Sequence, residues 1–296
     1  MKLIIQPDDG LTPLVQAVRG AKKTIDVVIF RFDRAELEKA LEAAVARGVV
    51  VRALIAHTNR GGEKILRKLE LRLLDAGVTV ARTADDLPRY HAKLMIVDDT
   101  LHVFGFNYTK LDIEKSRSFG VTTGDDALVK EAKALFEADS TRQPYVPNHD
   151  RLVVSPESSR KILKEFIDGA KKQLLIYDAK VTDRMMVKAL QARAKDGVEI
   201  RMFGKIGKGA PDVDARKMPA LRLHVRAMVR DGSTAFVGSQ SLRKLEMDGR
   251  REVGVIVSDT AIAKRMQEVF EADWLKTLSK SEVKEVKEAA ENGKPV

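Results

Sequence analysis

Residues 2–26 reappear without a gap as residues 151–175, and this self-similarity constrains the fold of the 296-residue chain more than any other feature. Leu3-Ile4-Ile5-Gln6-Pro7 lies over Leu152-Val153-Val154-Ser155-Pro156, and Gly20-Ala21-Lys22-Lys23 over Gly169-Ala170-Lys171-Lys172. The same offset of 149 carries Arg47-Gly48-Val49-Val50-Val51-Arg52 onto Asp196-Gly197-Val198-Glu199-Ile200-Arg201. It then falls to 133, so the second copy has a connection 16 residues shorter, and it settles at 134 for the rest. There Arg117-Ser118-Phe119-Gly120-Val121 meets Arg251-Glu252-Val253-Gly254-Val255, and Phe136-Glu137-Ala138-Asp139 recurs letter for letter as Phe270-Glu271-Ala272-Asp273. Copies of this length exceed the roughly 20–50 residues of solenoid repeats and point to two similar domains. The expected domains are residues 1–145 and 146–296, joined through the Pro- and polar-rich stretch Thr141–Asp150.

Each copy opens with a short β-branched strand (Leu3–Ile5; Leu152–Val154) and an amphipathic helix that the Gly-Ala-Lys-Lys punctuation ends. Buried strands are predicted at Ile25–Phe30 and Leu174–Tyr177, helices at Ala35–Ala46 and Arg184–Ala194, and strands again at Val49–Ile55 and Val198–Phe203. Such β-α-β-α-β alternation predicts an α/β fold with a largely parallel sheet and helices on both faces. The charged segment from Lys280 to Val296 reads as a frayed helix or a disordered tail.

At the 133 offset, His91-Ala-Lys93 with Asp98 matches His224-Val-Arg226 with Asp231, and Gly105 and Gly238 each stand seven residues beyond the aspartate. Two of the five histidines thus occupy equivalent frames. Lys93, Met95 and Val97 alternate with Leu94 and Ile96, so on a strand His91 and Lys93 share a face, as do His224 and Arg226. Two imidazoles and two fixed cations are the equipment for cutting a phosphodiester. One imidazole attacks phosphorus, the other protonates the departing oxygen, and the cations hold the non-bridging oxygens.

The net charge of +10 favours polyanions, either nucleic acid or an anionic lipid surface. The absence of cysteine excludes disulfides and thiolate metal sites and fits a reducing, cytoplasmic compartment. The opening residues Met1–Asp8 are too short and too soon acidic for a signal peptide, and no apolar run approaches the ~20 residues of a membrane span. No metal or cofactor is expected, because no His/Asp/Glu cluster has ligand spacing.

The paired motifs resemble the phospholipase D superfamily, whose signature is His-x-Lys-x4-Asp, then Gly-Ser or Gly-Gly and an asparagine, with an acidic residue on a later strand. The resemblance covers nearly the whole chain. It implies two α/β/α domains with mostly parallel mixed sheets, related by a pseudo-twofold axis at which the motifs meet, and metal-free cleavage or transfer through a phosphohistidine. Carried onto this sequence, it makes His91 the nucleophile and His224 the general acid, with Glu252 orienting one of the two imidazoles. Lys93, Arg226, Asn107, Ser239 and Ser241 become phosphate donors, and Asp98 and Asp231 structural ties. The chain departs from the pattern at Phe106 in the serine slot, Ser241 in the asparagine slot, Arg226 in the lysine slot and Ser118 opposite Glu252. Arginine keeps the charge but not the compact shape of lysine.

Three functions follow. Phospholipid hydrolysis or phosphatidyl transfer comes first, because of the apolar Phe106, with peripheral contact at an anionic membrane. A nuclease of the same chemistry comes second, and a catalytically impaired nucleic-acid or lipid binder third. None requires an oligomer. Arg31 and Lys180, equivalent after the second strand, read as paired cations near the cleft or as solvated salt-bridge residues, and Gly204–Gly209 as a basic rim.

Overall fold

A computed structural model describes residues 1–58, 63–208 and 212–278. The first half runs β1 (Lys2–Gln6), α1 (Thr12–Gly20), β2 (Thr24–Ile29), α2 (Ala35–Ala46), β3 (Val50–Ile55), α3 (Glu63–Asp75) and β4 (Thr79–Arg82). It continues with β5 (Arg89–Tyr90), β6 (Leu94–Val97), β7 (Thr100–Phe104), α4 (Lys110–Lys115), β8 (Ser116–Thr123) and α5 (Asp126–Thr141). The second half runs β9 (Leu152–Ser155), α6 (Ser159–Asp168), β10 (Gln173–Val181), α7 (Arg184–Lys195), β11 (Glu199–Ile206), β12 (Asp214–Arg216) and β13 (Arg222–Leu223). It ends with β14 (Arg226–Arg230), β15 (Thr234–Gly238), α8 (Lys244–Asp248), β16 (Arg250–Val257) and α9 (Thr260–Leu275). Among the described residues no helix separates β11 from β12, so the 16-residue deficit of the second copy falls where the first has α3.

The halves build the same sheet. Strand order is β1-β8-β7-β6-β2-β3-β4 in one and β9-β16-β15-β14-β10-β11-β12 in the other. Parallel pairing within each is confined to β2-β3-β4 and β10-β11-β12. The other neighbours are antiparallel, so the sheets are mixed with a smaller parallel share than the alternating pattern suggests. The reason is local. β6 to β7 and β14 to β15 turn back through tight turns opened by Asp98 and Asp231 at positive φ (51° and 52°), and a hairpin cannot be parallel. These aspartates also bind the sheet edge. Asp98 accepts the backbone N–H groups of Lys22, Lys23 and Thr24, and Asp231 those of Lys171, Lys172 and Gln173. Burial pushes both carboxyls up, but the backbone donors outweigh it and hold them below the usual range.

Two short strands are exchanged. β5, immediately before His91, pairs in parallel with β16 of the other half, and β13, immediately before His224, pairs with β8. Each motif histidine is thereby delivered by one half and seated against the other, and the His91 N–H donates to the Arg251 carbonyl at 2.7 Å. Leu94, Ile96, Ala227 and Val229 face a central core shared by both sheets, α5 and α9. Met95 and Val97 face an outer core under α1 and α2, and Met228 its counterpart under α6 and α7. Among the described residues no helix is long and apolar enough to cross a membrane.

The repeated side chains clamp this arrangement. Arg52 pairs with Glu137 and Arg201 with Glu271, tying α5 and α9 to their own sheets. Arg117 in β8 pairs with Asp273 in α9, and Arg251 in β16 with Asp139 in α5, so reciprocal ion pairs cross between the halves. All four side chains are buried, and the arginines also donate to the Gln6 and Ser155 carbonyls. Stranding one partner of such a pair is costly, which accounts for the recurrence of Phe-Glu-Ala-Asp.

Candidate active site

The exchanged strands bring both motifs to the boundary between the halves. There the turns touch backbone to backbone: a Cβ on Gly105 would lie 3.2 Å from the Gly238 carbonyl oxygen and 3.0 Å from Ser118 Oγ. His91 Nδ1 lies 2.8 Å from Glu252 Oε2, and Glu252 is fully buried in the opposite half's sheet. A carboxylate there assigns the Nδ1–H tautomer and leaves the lone pair on Nε2. Lys93 Nζ sits 2.8 Å from Nε2 and 2.9 Å from Nδ1, so it approaches both ring nitrogens, and it donates to the His91 carbonyl at 2.6 Å.

The second histidine has a carboxylate partner too, which the motif does not include. Asp112, in α4 of the first half, places Oδ2 3.2 Å from His224 Nδ1, off the direction of a hydrogen bond. The same oxygen accepts from Asn107 N at 3.0 Å and Asn107 Nδ2 at 2.6 Å, and Oδ1 accepts from Arg222 at 2.5 Å. Ser118, the repeat partner of Glu252, is buried beside the Gly105 turn and cannot supply the charge. The motif therefore carries its acids asymmetrically, one from β16 and one from α4.

Burial, then the charges of Lys93, Arg226, Arg250 and Arg89, push His91 well below the ordinary histidine value, so it is neutral at physiological pH. Burial pushes Lys93 down to about 7, against the pull of Glu252 and Asp112. His224 is lowered by burial, opposed by Asp112, and lowered further by Arg226, Lys93 and Arg222. Burial raises Asp112, but His224, the Asn107 donors and Arg222 outweigh it and keep it ionised. Burial drives Glu252 above the usual carboxylate range in spite of Lys93, Ser239 and Arg226. Lys93 and Arg226 act on both imidazoles, so the two half-sites share one electrostatic environment.

The remaining candidates are placed differently from the expectation. Asn107 is a buried bracket for Asp112 rather than a donor facing open space. Ser239 exchanges hydrogen bonds with the Val253 backbone, and Ser241 donates to Asp178 and the Lys180 carbonyl. Both hydroxyls are buried and occupied by protein partners. Phe106 lies wholly inside the outer core, 5.1 Å from the Phe104 ring, and presents no apolar surface to a substrate. Gly204 is required by the bulge between β10 and β11, where at φ 138° a Cβ would fall 1.8 Å from the Asp178 carbonyl oxygen. Gly209 and the segment Lys280–Val296 lie outside the described residues. Among the described residues no group of three or more His, Asp or Glu side chains is arranged to hold a metal ion.

With this geometry in hand, comparisons locate the chain among known proteins. The family described as cardiolipin synthase, PLD-like domain, matches residues 14–140 and 163–274. Polyphosphate kinase of Salmonella typhimurium is 28% identical over 149 residues, covering 45% of this chain. The match spans only 21% of that relative's length. Among solved structures, polyphosphate kinase from Porphyromonas gingivalis superposes on 91% of this chain and 46% of its own, with a TM-score of 0.77 and 16% identity. Phosphatidylserine synthase from Haemophilus influenzae superposes on 99% of this chain and 93% of its own, with a TM-score of 0.66 and 10% identity. At these identities the superpositions establish the shared fold.

Proposed function

The chain belongs to the PLD-like domain family, and from that premise we propose that it is a phosphodiester hydrolase or transferase that works through a phosphohistidine at His91. The observation that carries this reading is the pair of Nδ1–carboxylate contacts, His91 with Glu252 and His224 with Asp112, under the shared charge of Lys93 and Arg226. Neutral His91 attacks phosphorus with its Nε2 lone pair, forming a P–N bond while the bond to the leaving oxygen breaks. His224 gives its proton to that oxygen. Water, or an acceptor alcohol, then attacks phosphorus as His224 takes its proton back, and the P–N bond breaks.

The acid role fits the neighbourhood of His224. Burial lowers His224 most; substrate phosphate lying between Lys93 and Arg226 offsets the two cationic charges that add to that effect, while ionised Asp112 continues to favour the imidazolium. Glu252 accepts the Nδ1–H of His91 and so leaves the Nε2 lone pair for attack. Lys93 and Arg226 hold the non-bridging oxygens. Asp98 and Asp231 act on the backbone alone. Phe106 is sealed in the core and offers a substrate no apolar surface, so it gives phospholipid no advantage over nucleic acid.

The test is turnover of a chromogenic phosphodiester in excess chelator by wild type, His91→Ala and His224→Ala. The expected result is multiple turnover by wild type only. Turnover surviving in His91→Ala overturns the reading.

A further inference from the structure

The two motif cations stand over different surroundings. Lys93 shares a strand face with Met95, whose outer core holds Ile29, Phe104, Phe106 and Tyr108. In the second half Asp178 takes the place of Ile29 at offset 149, and Gln240 that of Phe106 at offset 134. The second frame is fixed by matching bonds, since Gly105 donates to the Phe119 carbonyl as Ser239 does to that of Val253. Asp178 in β10 is the cross-strand partner of Arg226 in β14, so their side chains share a face. Asp178, Arg226 and Gln240 line one small cavity with Ile176 and Met228.

Asp178 is buried and accepts Ser241 Oγ–H at 2.5 Å, Leu242 N–H at 2.7 Å and Lys180 N–H at 3.0 Å. Three donors on its two oxygens suit an ionised carboxylate. Burial pushes the group up, and Arg226 is first among the influences that oppose it. Arg226 Nε is a buried donor, and Gln240 Oε1 a buried acceptor, each without a hydrogen-bond partner among the described residues. The other acids of the site answer other groups. Glu252 and Asp112 face the two imidazoles and bear on Lys93, and Glu252 also feels Arg226. Asp178 adds a negative charge across the ladder from Arg226, where the first half has an aliphatic side chain. A compact ammonium on an apolar stem needs no acceptor behind it. A guanidinium has five donors in a rigid plane, and its orientation decides which edge meets a phosphate. We propose that Asp178 is a positioning residue for Arg226, drawing the guanidinium from behind so that its outer edge faces the phosphate oxygens. This rests on the phosphate-holding role of Arg226 and deepens it. Arginine in the lysine slot is then half of a paired replacement, Ile29 with Lys93 giving way to Asp178 with Arg226, and not a loss of function.

The test is calorimetric titration of the full chain with orthophosphate at fixed ionic strength. Wild type, Asp178→Asn, Arg226→Lys and the double variant Asp178→Ile with Arg226→Lys are compared, and the thermal unfolding of each is followed alongside. Asp178→Asn is expected to weaken orthophosphate binding about tenfold, the scale of one charge-assisted hydrogen bond. The sign decides the matter, because a carboxylate acting only as a nearby negative charge repels phosphate, and its removal tightens binding. Arg226→Lys weakens binding by a similar factor. The double variant copies the pairing of the first half and recovers to within about threefold of wild type, a non-additivity expected of residues that act as a pair. Unchanged or tighter binding in Asp178→Asn, or a double variant weaker than both single variants, overturns the proposal. Asp178→Asn keeps the shape of the side chain and decides the question if the double variant does not fold. The readout is binding, so either failure leaves the turnover test of His91 and His224 standing, and loss of the positioning role is distinguishable from loss of the mechanism.

Discussion

Replacing Asp112 by Asn keeps the shape of the side chain that faces His224 and removes its charge. Oδ2 accepts two Asn107 donors while lying 3.2 Å from His224 Nδ1, and Oδ1 accepts from Arg222. An amide must keep its oxygen toward Asn107, which turns its NH2 group toward the Arg222 guanidinium, donor against donor. The imidazolium thus loses its counter-ion, and Arg222 loses its acceptor. Removing the carboxylate behind a catalytic histidine costs about 10⁴ where it also fixes the tautomer. Here the contact lies off the hydrogen-bond direction, so the share left is electrostatic, and we expect a loss of about 10²–10³. The assay is the single-turnover rate of phosphoenzyme formation with two leaving groups, one alkyl and one nitrophenyl. Protonation matters to the first and hardly to the second. The alkyl substrate should therefore show the full loss, and the nitrophenyl substrate a change within about threefold, because general-acid assistance is what the variant removes. An equal loss with both would refute the link between Asp112 and proton donation and leave only a structural role for α4.

Four further outcomes are expected. Glu252→Gln should lower phosphoenzyme formation by about 10⁴ with both leaving groups, since it misassigns the nucleophile's tautomer; a drop limited to the alkyl substrate would contradict it. Asp273→Ala strands buried Arg117 and Tyr177 and should destabilise the fold by about 3–5 kcal/mol in urea titration, whereas a change below about 1 kcal/mol would show that the crossing pair is dispensable. In the free enzyme, kcat/KM should fall as pH rises through about 7, where Lys93 loses its charge, and Lys93→Arg should move that limb beyond the measurable range. The folded value for Lys93 lies below its ordinary 10.5, so the unfolded chain binds more protons between about 7 and 10.5, and stability should rise with pH across that window. A stability curve falling there would contradict the burial argument.

Much of the architecture was legible because the repeat preserves contacts rather than composition. Arg52 and Arg201 recur with Glu137 and Glu271, and Arg117 and Arg251 with Asp273 and Asp139. Strand direction was less legible, because parallel pairing within each half is confined to β2-β3-β4 and β10-β11-β12, and the hairpins after the motif make the other neighbours antiparallel. The exchanged strands β5 and β13 are two residues long and too short to carry a hydrophobic period. Asp112 lies outside the motif pattern, because the repeat frame of Glu252 leads to Ser118 and not to α4. A signal was present: at the 134 offset Asp112 aligns with Glu246, an acid at the same slot of the second copy. There the carboxylate serves Arg250 instead, so which copy uses it for chemistry depends on packing that the pattern does not carry. Ser239 and Ser241 illustrate the converse, with hydroxyls at expected slots that the fold engages for its own backbone and for Asp178.

The most direct test of the central claim is to trap the intermediate. His224→Ala, incubated with a nitrophenyl phosphodiester and quenched at alkaline pH, should accumulate an acid-labile phosphoryl adduct that peptide mass spectrometry locates on His91. An adduct on His224 in the reciprocal His91→Ala variant, or wild-type turnover with no adduct on either ring, would contradict the account.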